Sequence, residues 1–417
     1  MSKKDNVAME PKYRFPEFLN CLDWKKEELN KLGKVISGLT YSPQDIREDG
    51  LLVLRSSNIK DNVIDLNDTV YVRSDVKGYT LTEENDILIC VRNGSKSLIG
   101  KNALIPKGMP LCTNGAFMLV FRANNPCFAF QLFQSKQFDK QVKADLGATI
   151  NSINSKQLKK YIFAIPQVKK EQEKIADCLS SIDDLISAEE KKLSLLNDYK
   201  KGWMQKLFPA EGKTVPEWRF PEFKDSKGWE KLNIEKACYP SYSGGTPVTS
   251  KKEYYNGDIP FIRSGEIGKE KTELFLTSEG LDNSSAKMIE KGDVLMALYG
   301  ANSGDVAISP IKGAINQAIL CLRHKNNNAF LYHYLAFKKN WIVRTYIQGG
   351  QGNLSGEIVK SIELCSPQEP DEQNRIAGFL SVIDELTSNQ KEKIEALKQH
   401  KKALMQGLFP SIEEVCK

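Results

Sequence analysis

Histidine is scarce in this 417-residue sequence, which contains only His324, His333 and His400. So few imidazoles leave little material for a histidine-rich metal site or a histidine-based catalytic triad. The nine cysteines are scattered and never spaced as CxxC, which argues against structural zinc and against a disulfide framework. We therefore predict that the cysteines are reduced and mostly buried.

Long apolar runs are also missing. No stretch approaches the roughly 18 to 20 apolar residues that a membrane-spanning helix needs, and no signal-peptide hydrophobic region follows the first six residues. We expect a cytoplasmic protein with no membrane partner. Hydrophobic residues make up 41% and charged residues 27%, which is typical of a globular protein. The length suits two domains plus connecting elements.

The net charge is +6, and the positive excess falls in residues 21–165 and 224–366. Positive charge in these regions would suit contacts with phosphates. A surplus this small is nevertheless common among proteins that never bind nucleic acid, so charge alone decides nothing.

An internal repeat organises the chain. Residues 166–209 match residues 367–410 without a gap, and both copies end in Leu-Phe-Pro. Upstream, Arg-Phe-Pro-Glu-Phe at residues 14–18 recurs at 219–223, and Trp24 recurs as Trp229. Each half therefore reads as an opening segment, a variable globular region and a long helix.

The repeated segment has a heptad pattern. Apolar residues alternate at spacings of four and three from Ile175 to Leu207 and from Ile376 to Leu408. This 3.5-residue period indicates a coiled-coil seam. Polar residues interrupt it at Glu189 and Lys200, and at Gln390 and Lys401. We predict antiparallel pairing of the two helices; the alternative is that each helix packs only against its own domain.

The globular regions have matching strand and helix patterns. The predicted helices are Phe128–Lys143 and Ala329–Tyr346. The predicted strands are Leu51–Leu54, Asp86–Val91, Phe117–Phe121, Ile259–Ile262, Asp293–Leu298 and Ile315–Leu322. We predict an α+β fold in which two similar domains are separated by two long helices that form an antiparallel coiled coil, in a pseudo-two-fold arrangement.

Polar, turn-rich loops follow these strands. Arg, Asn and Ser side chains can present paired donors and acceptors to base edges, and glycine lets backbone approach phosphate. The same loops could equally be ordinary surface turns. They comprise residues 56–58, 92–96, 243–246, 264–266 and 300–303.

Two segments resemble catalytic motifs without matching them. Gly94 to Lys101 has one residue too many between its glycines for a phosphate-binding loop, and Asn102 stands where Ser or Thr would bind magnesium. Asn125-Pro126-Cys127-Phe128 is similar to the N-P-P-[FY] tetrad of adenine methyltransferases, but Cys127 replaces the second proline. No strand-linked Gly-x-Gly cofactor turn accompanies it. We therefore predict a chain with no catalytic centre and no metal or cofactor of its own.

With these features in view, the whole chain resembles the specificity subunits of type I restriction-modification systems. The resemblance is sharpest in Ser243-Gly244-Gly245-Thr246-Pro247, in Ile259 to Ile267 and in the two helices ending in Leu-Phe-Pro. The first half keeps residues 52–59, Leu-Val-Leu-Arg-Ser-Ser-Asn-Ile, but has Ser37-Gly38-Leu39-Thr40 at the first turn.

The resemblance implies that each domain reads one half of a bipartite, asymmetric sequence in double-stranded DNA, while the helices set the unread spacer. It also implies partners: two methyltransferase subunits that use S-adenosylmethionine to methylate adenine N6, and two ATP- and magnesium-dependent restriction and translocase subunits. The rival hypotheses are a self-contained adenine methyltransferase or nuclease, and a coiled-coil scaffold that binds only proteins.

This interpretation divides the chain into seven parts: N-terminal segment 1–20, target-recognition domain 21–165, central spacer helix 166–209, linker 210–223, target-recognition domain 224–366, C-terminal spacer helix 367–410 and tail 411–417. By the same resemblance, the predicted DNA-reading residues are Arg55, Asn58, Arg92, Asn93, Thr246, Arg263, Glu266 and Asn302.

Overall fold

The computed structural model describes residues 10–146, 151–347 and 353–410. The predicted tail at 411–417, with Cys416, and the first nine residues of the predicted N-terminal segment lie outside the described residues. The described parts of Met1–Glu189 and Lys393–Lys417 form one compact unit, and those of Glu190–Glu392 form a second. We call these unit 1 and unit 2. Each contains one predicted domain and part of each long helix.

Unit 1 contains two four-stranded sheets, with orders β2-β11-β8-β9 and β10-β4-β7-β3. Two-stranded pairings of β1 with β12 and of β5 with β6 complete its sheets as described. Its strands are β1 Lys25–Glu28, β2 Gly33–Ser37, β3 Ile46–Arg47, β4 Leu51–Leu54, β5 Ile59–Lys60, β6 Val63–Ile64, β7 Tyr71–Val72, β8 Ile87–Cys90, β9 Asn102–Leu104, β10 Cys112–Asn114, β11 Met118–Ala123 and β12 Ile162–Ile165.

Unit 2 repeats this plan, with sheets β14-β21-β18-β19 and β16-β15-β20-β17 and the pair β13-β22. In both units one parallel pair, β4 with β10 or β15 with β20, lies within an otherwise antiparallel sheet. The strands of unit 2 are β13 Glu230–Asn233, β14 Tyr242–Ser243, β15 Tyr255–Ile262, β16 Leu274–Leu276, β17 Lys287–Ile289, β18 Val294–Ala297, β19 Val306–Ile308, β20 Gly313–Ile315, β21 Ile319–Leu322 and β22 Glu363–Ser366.

The helices are α1 Leu29–Leu32, α2 Pro126–Phe133, α3 Lys136–Asp145, α4 Ser155–Lys159, α5 Lys169–Leu207, α6 Ile234–Ala237, α7 Ser278–Asp282, α8 Asn328–Tyr346, α9 Gly356–Ser361 and α10 Pro370–Leu408. Helices α5 and α10 have 39 residues each. The predicted fold class, two α+β domains with two long helices, is confirmed.

Two predicted elements are each divided into two, and the strand predicted at Ile259–Ile262 begins earlier, at Tyr255. The predicted helix Phe128–Lys143 is broken between α2 and α3 because the hydroxyl of Ser135 caps the second helix, accepting a hydrogen bond from the backbone N–H of Phe138. The predicted strand Ile315–Leu322 is two strands, β20 and β21. Between them the side chain of Asn316 accepts from the backbone N–H of Ala318, forming a local turn.

The helices pair in opposite directions within each unit. In unit 1, Lys401 of α10 donates to Asp183 of α5 at 2.6 Å; in unit 2, Lys200 of α5 donates to Asp384 of α10 at 2.5 Å. Early residues of one helix thus meet late residues of the other, as the antiparallel prediction requires. The polar seam residues Lys200 and Lys401 find aspartate partners, so these layers are satisfied.

The ends of the helices also complete the cores. Ile175 and Leu179, near the start of α5, pack in the unit 1 core with Trp24. Leu408 at the end of α10 and Phe409 directly after it join the same core. In unit 2, Phe208 is fully buried among aromatic rings that include Trp229 and Phe330. A helix that packed only against its own domain would not supply both contributions, so that alternative is wrong.

A buried clasp ties the opening segment of each half to the start of its long helix. In unit 1, Glu171 accepts from Arg14 Nε at 2.8 Å and from Trp24 Nε1 at 3.1 Å. Glu171 is 1% exposed. The hydrogen bond from Arg14 to Glu171 is the main reason that the pKa of Arg14 is raised. Arg14, Trp24 and Glu171, which all recur in the second half of the sequence, therefore form one hydrogen-bonded cluster.

The same clasp recurs in unit 2. Glu372 is fully buried and accepts from Arg219 Nε at 2.6 Å and from Trp229 Nε1 at 3.2 Å. The other nitrogens of Arg219 donate to the carbonyl oxygens of Ser226 and Lys227, so the guanidinium also fixes the turn after the opening segment.

The cysteines are free among the described residues, and five of the eight are buried: Cys90, Cys112, Cys238, Cys321 and Cys365. Burial raises the pKa of Cys90 to about 11 and that of Cys238 to about 12, which keeps these thiols protonated. Cys21 and Cys178 are half-buried and Cys127 is exposed, so most, but not all, of the described cysteines are buried. Within the described ranges, no helix combines the length and the hydrophobicity needed to cross a bilayer.

His333 makes unit 2 sensitive to acid. Its ring is fully buried beside α10, where burial and the charge of Lys200 lower its pKa to about 3. The carboxylate of Asp384, 3.8 Å away, is already paired with Lys200. Since the folded pKa lies below the unfolded value of about 6.5, stability is full above pH 6.5 and is lost as the pH falls towards 3.

We expect the substitution His333→Gln, which copies Gln131 at the matching position of unit 1, to remove about 2 kcal/mol of the stability lost between pH 7 and pH 5. Denaturant unfolding followed by tryptophan fluorescence measures this, because Trp203, Trp218, Trp229 and Trp341 all belong to unit 2. The exposed His400 provides the control: His400→Gln should keep the wild-type pH dependence. An unchanged pH dependence in His333→Gln would contradict the assignment.

Candidate nucleic-acid interface

An arginine-headed turn follows one strand of the parallel pair in each unit. Arg55 follows β4 and Arg263 follows β15, and each begins a short 3-10 helix closed by the residue three positions later. The side chain of Asn58 accepts from the backbone N–H of Arg55 at 2.8 Å, and that of Glu266 accepts from the backbone N–H of Arg263 at 3.1 Å. The two turns are thus built alike from different residues.

Asn58 and Glu266 are buried, with exposed fractions of 0% and 5%. The amide of Asn58 donates to the backbone oxygens of Asp65 and Asp68. Glu266 accepts from the side chain of Arg263 and from the backbone N–H of Glu273. Burial acts to raise the pKa of Glu266, but hydrogen bonds from Arg263 and Glu273 outweigh it and leave the pKa lowered. Both residues hold their turns rather than point outward.

Each turn arginine also meets an exposed carboxylate from a later loop. Nη2 of Arg55 donates to both oxygens of Asp68 at 2.9 Å. Nη2 of Arg263 donates to Glu273. Hydrogen bonds to Glu266 and then to Glu273 raise the pKa of Arg263, so it stays charged. Arg55 and Arg263 remain 35% and 39% exposed, which leaves them accessible to a ligand.

A second loop lies beside each arginine turn. In unit 1, Asn93 follows β8 and donates to the hydroxyl of Ser56 at 3.0 Å, while Arg92 is exposed and its guanidinium lies 5.0 Å from the ring centre of Phe117. In unit 2, Asn302 follows β18, and its amide nitrogen lies 3.3 Å from where a Cβ on Gly265 would be. The two loops therefore meet in both units.

The third loop follows β2 or β14 and approaches the backbone closely. A Cβ on Gly38 would lie 2.0 Å from the carbonyl oxygen of Gly115, and a Cβ on Gly244 would lie 1.8 Å from that of Ile315. Only glycine allows this approach. In unit 2 the same loop carries Thr246 at the surface, where the Thr246 hydroxyl donates to the side-chain oxygen of Gln317 at 2.7 Å.

In unit 1 the arginine turn and the third loop line an open groove of about 640 Å³. Its walls include Thr40, Tyr41, Arg55, Asp68 and Phe117. Phe117 is 55% exposed and carries Arg92 against its ring. A guanidinium, hydroxyls and an exposed aromatic ring in one groove suit the polar edges and the methyl group that bases present in the major groove of duplex DNA.

The eight predicted residues thus divide into two groups. Six of them lie on adjoining surface loops of their units: Arg55, Arg92 and Asn93 in unit 1, and Thr246, Arg263 and Asn302 in unit 2. The other two, Asn58 and Glu266, are buried and support the turns. Sequence reasoning missed Asp68, Glu273, Gln317 and Phe117. Phe117 lies at the edge of a strand pattern, and the other three had no signal because their partners are distant in sequence.

The methyltransferase-like tetrad has a structural role. Asn125 caps α2 by accepting from the backbone N–H of Phe128 at 3.3 Å, and Phe128 is buried in the core. In the described part of the chain, no cluster of three or more His, Cys, Asp or Glu side chains is arranged to hold a metal ion.

Comparisons with known proteins agree with this geometry. The sequence profile described as "Type I restriction modification DNA specificity domain" matches residues 22–198 and again 227–399. The chain is 29% identical over 408 residues to the type I restriction enzyme MjaX specificity subunit of Methanocaldococcus jannaschii, covering 93% of each chain. It is 24% identical to the EcoKI specificity subunit of Escherichia coli, covering 73% of this chain and 66% of that one.

The fold also matches a solved structure, the crystal structure of the S subunit of a type I restriction-modification system from M. genitalium. The TM-score is 0.64 at 17% identity, and the match covers 97% of this chain and 100% of that one. The agreement therefore extends over both units and both long helices.

Proposed function

The chain belongs to the type I restriction-modification DNA specificity family, whose domain matches both halves, and from that premise we propose how it reads DNA. Each unit binds one half of a split, asymmetric target in double-stranded DNA through the two or three adjoining loops around its turn arginine. Two different sets of side chains on one scaffold then read two different half-sites.

The observation that carries the proposal is the matched turn in the two units. Arg55 and Arg263 stand at the same place after equivalent strands, each fixed by a buried residue at the third position of the turn. Arginine is the side chain best suited to guanine O6 and N7 in the major groove. We assign base contacts to Arg55, Arg92, Asn93, Thr246, Arg263 and Asn302, and revise Asn58 and Glu266 to supports of the reading arginines.

We further propose that the chain carries no catalytic centre and works only with partner subunits. Two methyltransferase subunits would supply S-adenosylmethionine and methylate adenine N6, and two restriction and translocase subunits would supply ATP- and magnesium-dependent cleavage. Antiparallel pairing of α5 with α10 within each unit supports a stiff helical element, which we propose sets the unread spacer between the two half-sites.

A transfer assay tests this proposal. The purified full chain, incubated with DNA and labelled S-adenosylmethionine, should transfer no methyl groups until the methyltransferase subunits are added. The complex should then methylate adenines in one motif made of two half-sites with a fixed spacer, which sequencing of modified bases reads directly. Transfer by the chain alone would favour the self-contained enzyme, and a complex without salt-dependent DNA binding would favour the protein-only scaffold.

A further inference from the structure

The exposed carboxylates beside the turn arginines are held in a similar way in the two units, although Glu266 also binds the guanidinium of Arg263 directly. In unit 1, buried Asn58 holds the backbone N–H of Arg55 and the backbone oxygen of Asp68, whose carboxylate then binds the guanidinium of Arg55. In unit 2, buried Glu266 holds the backbone N–H groups of Arg263 and Glu273, and the Glu273 carboxylate binds the guanidinium of Arg263.

Different residue types form this hydrogen-bond arrangement in the two units. The buried support is an amide in unit 1 and a carboxylate in unit 2, the guarding residue is Asp in one and Glu in the other, and the connecting loops have different lengths. An incidental surface ion pair would not be anchored at both backbones in both units. We propose that Asp68 and Glu273 are specificity-determining residues that restrain the arginines from binding DNA phosphates indiscriminately. The inference rests on the proposed function.

The physical reason is the charge of the competing acceptors. An unrestrained guanidinium on a DNA-facing loop binds any phosphate. With Asp68 beside it, 62% exposed, an approaching phosphate meets a like charge, whereas the guanine edge is neutral and does not. Asp68 binds Arg55 through Nη2 alone, and Nε of Arg55 is buried, so Nη1 is the nitrogen that can meet a second acceptor. The carboxylate thus penalises phosphate contacts more than base contacts.

The test measures DNA binding by the full chain assembled with its methyltransferase subunits. The two probes are a duplex that contains the motif methylated by the complex and a duplex of scrambled sequence. For Asp68→Asn we expect scrambled DNA to bind roughly two- to five-fold more tightly, which is the range that breaking an exposed ion pair gives. The salt dependence on scrambled DNA should steepen by roughly 0.9 in log–log slope, one added phosphate contact, while the slope on the motif stays unchanged.

Glu273→Gln should change binding in the same direction but by less, because Glu266 still binds the Arg263 guanidinium. Sequencing of modified adenines should show relaxation of one half-site for each variant. Asp75→Asn and Glu290→Gln are matched controls, because each removes one charge from an exposed ion pair that does not involve a turn arginine. Both controls should keep the wild-type slopes. Asp68→Glu, which keeps the charge, should also keep them.

Unchanged slopes and motif preference in Asp68→Asn and Glu273→Gln, with the wild-type complex still selecting its motif, would overturn the inference alone. A wild-type complex that bound motif and scrambled DNA equally would instead overturn the proposed function.

Discussion

Replacing Glu372 with alanine should destabilise unit 2 by about 3–5 kcal/mol, because it leaves the largely buried guanidinium of Arg219 without its carboxylate partner and Trp229 without its acceptor. The carboxylate is fully buried and joins the opening segment to the first turn of α10. Truncation therefore removes the anchor of that segment as well as an ion pair. Glu171→Ala should act in the same way on unit 1.

Denaturant unfolding followed by tryptophan fluorescence reads the effect in unit 2. Glu357→Ala is the control, since Glu357 is 82% exposed and its pair with Lys360 is a surface salt bridge worth less than about 1 kcal/mol. Trp229→Phe should fall between the two, because it removes one hydrogen bond and keeps the charge pair. If Glu372→Ala cost no more stability than Glu357→Ala, the clasp would have no structural importance.

Arg263→Ala should weaken binding of the assembled complex to its target by ~1 to 3 kcal/mol, or about 5- to 150-fold, and relax recognition of one half-site only. The reason is that a guanidinium held in a fixed turn reads paired acceptors that no smaller side chain can span. The half-site read by unit 1 should remain strict, as sequencing of modified adenines would show.

Two companion variants sharpen this test. Arg263→Lys keeps the charge without the forked geometry, so it should not recover the lost half-site preference. Arg344→Ala removes the same charge from an exposed position on α8 and should leave both half-sites intact. An unchanged methylation pattern in Arg263→Ala would remove this residue from the reading surface.

The helices were the most predictable part of the molecule, because heptad spacing fixes which side of a long helix is apolar. The seam positions Ile175, Leu179, Ile376 and Leu380 are all buried. Strands with continuous apolar runs, such as Leu51–Leu54, were also predicted within a residue. Local hydrogen bonds decided the errors: Ser135 and Asn316 form caps and turns whose strength depends on neighbours that periodicity does not reveal.

The site was predictable only in part. Sequence placed Arg55 and Arg263 on equivalent loops, but chemical suitability for reading bases does not distinguish a surface side chain from a buried support. Asn58 and Glu266 have polar side chains that would suit a base edge, yet these side chains are hydrogen-bonded to backbone groups of their own turns. Asp68 and Glu273 could not be found from the sequence because variable loops separate them from their arginines.

The clasp has a practical consequence for exchanging parts between related chains. Its members, Arg14, Trp24 and Glu171 in one half and Arg219, Trp229 and Glu372 in the other, all lie at the borders of the variable region. A graft that replaces the stretch between Trp24 and Pro166, or between Trp229 and Pro367, leaves every one of these bonds in the host. Transplants cut at these borders should therefore fold on the recipient's helices, whereas a graft that carries only one of Arg14 and Glu171, or only one of Arg219 and Glu372, would separate the partners of an ion pair.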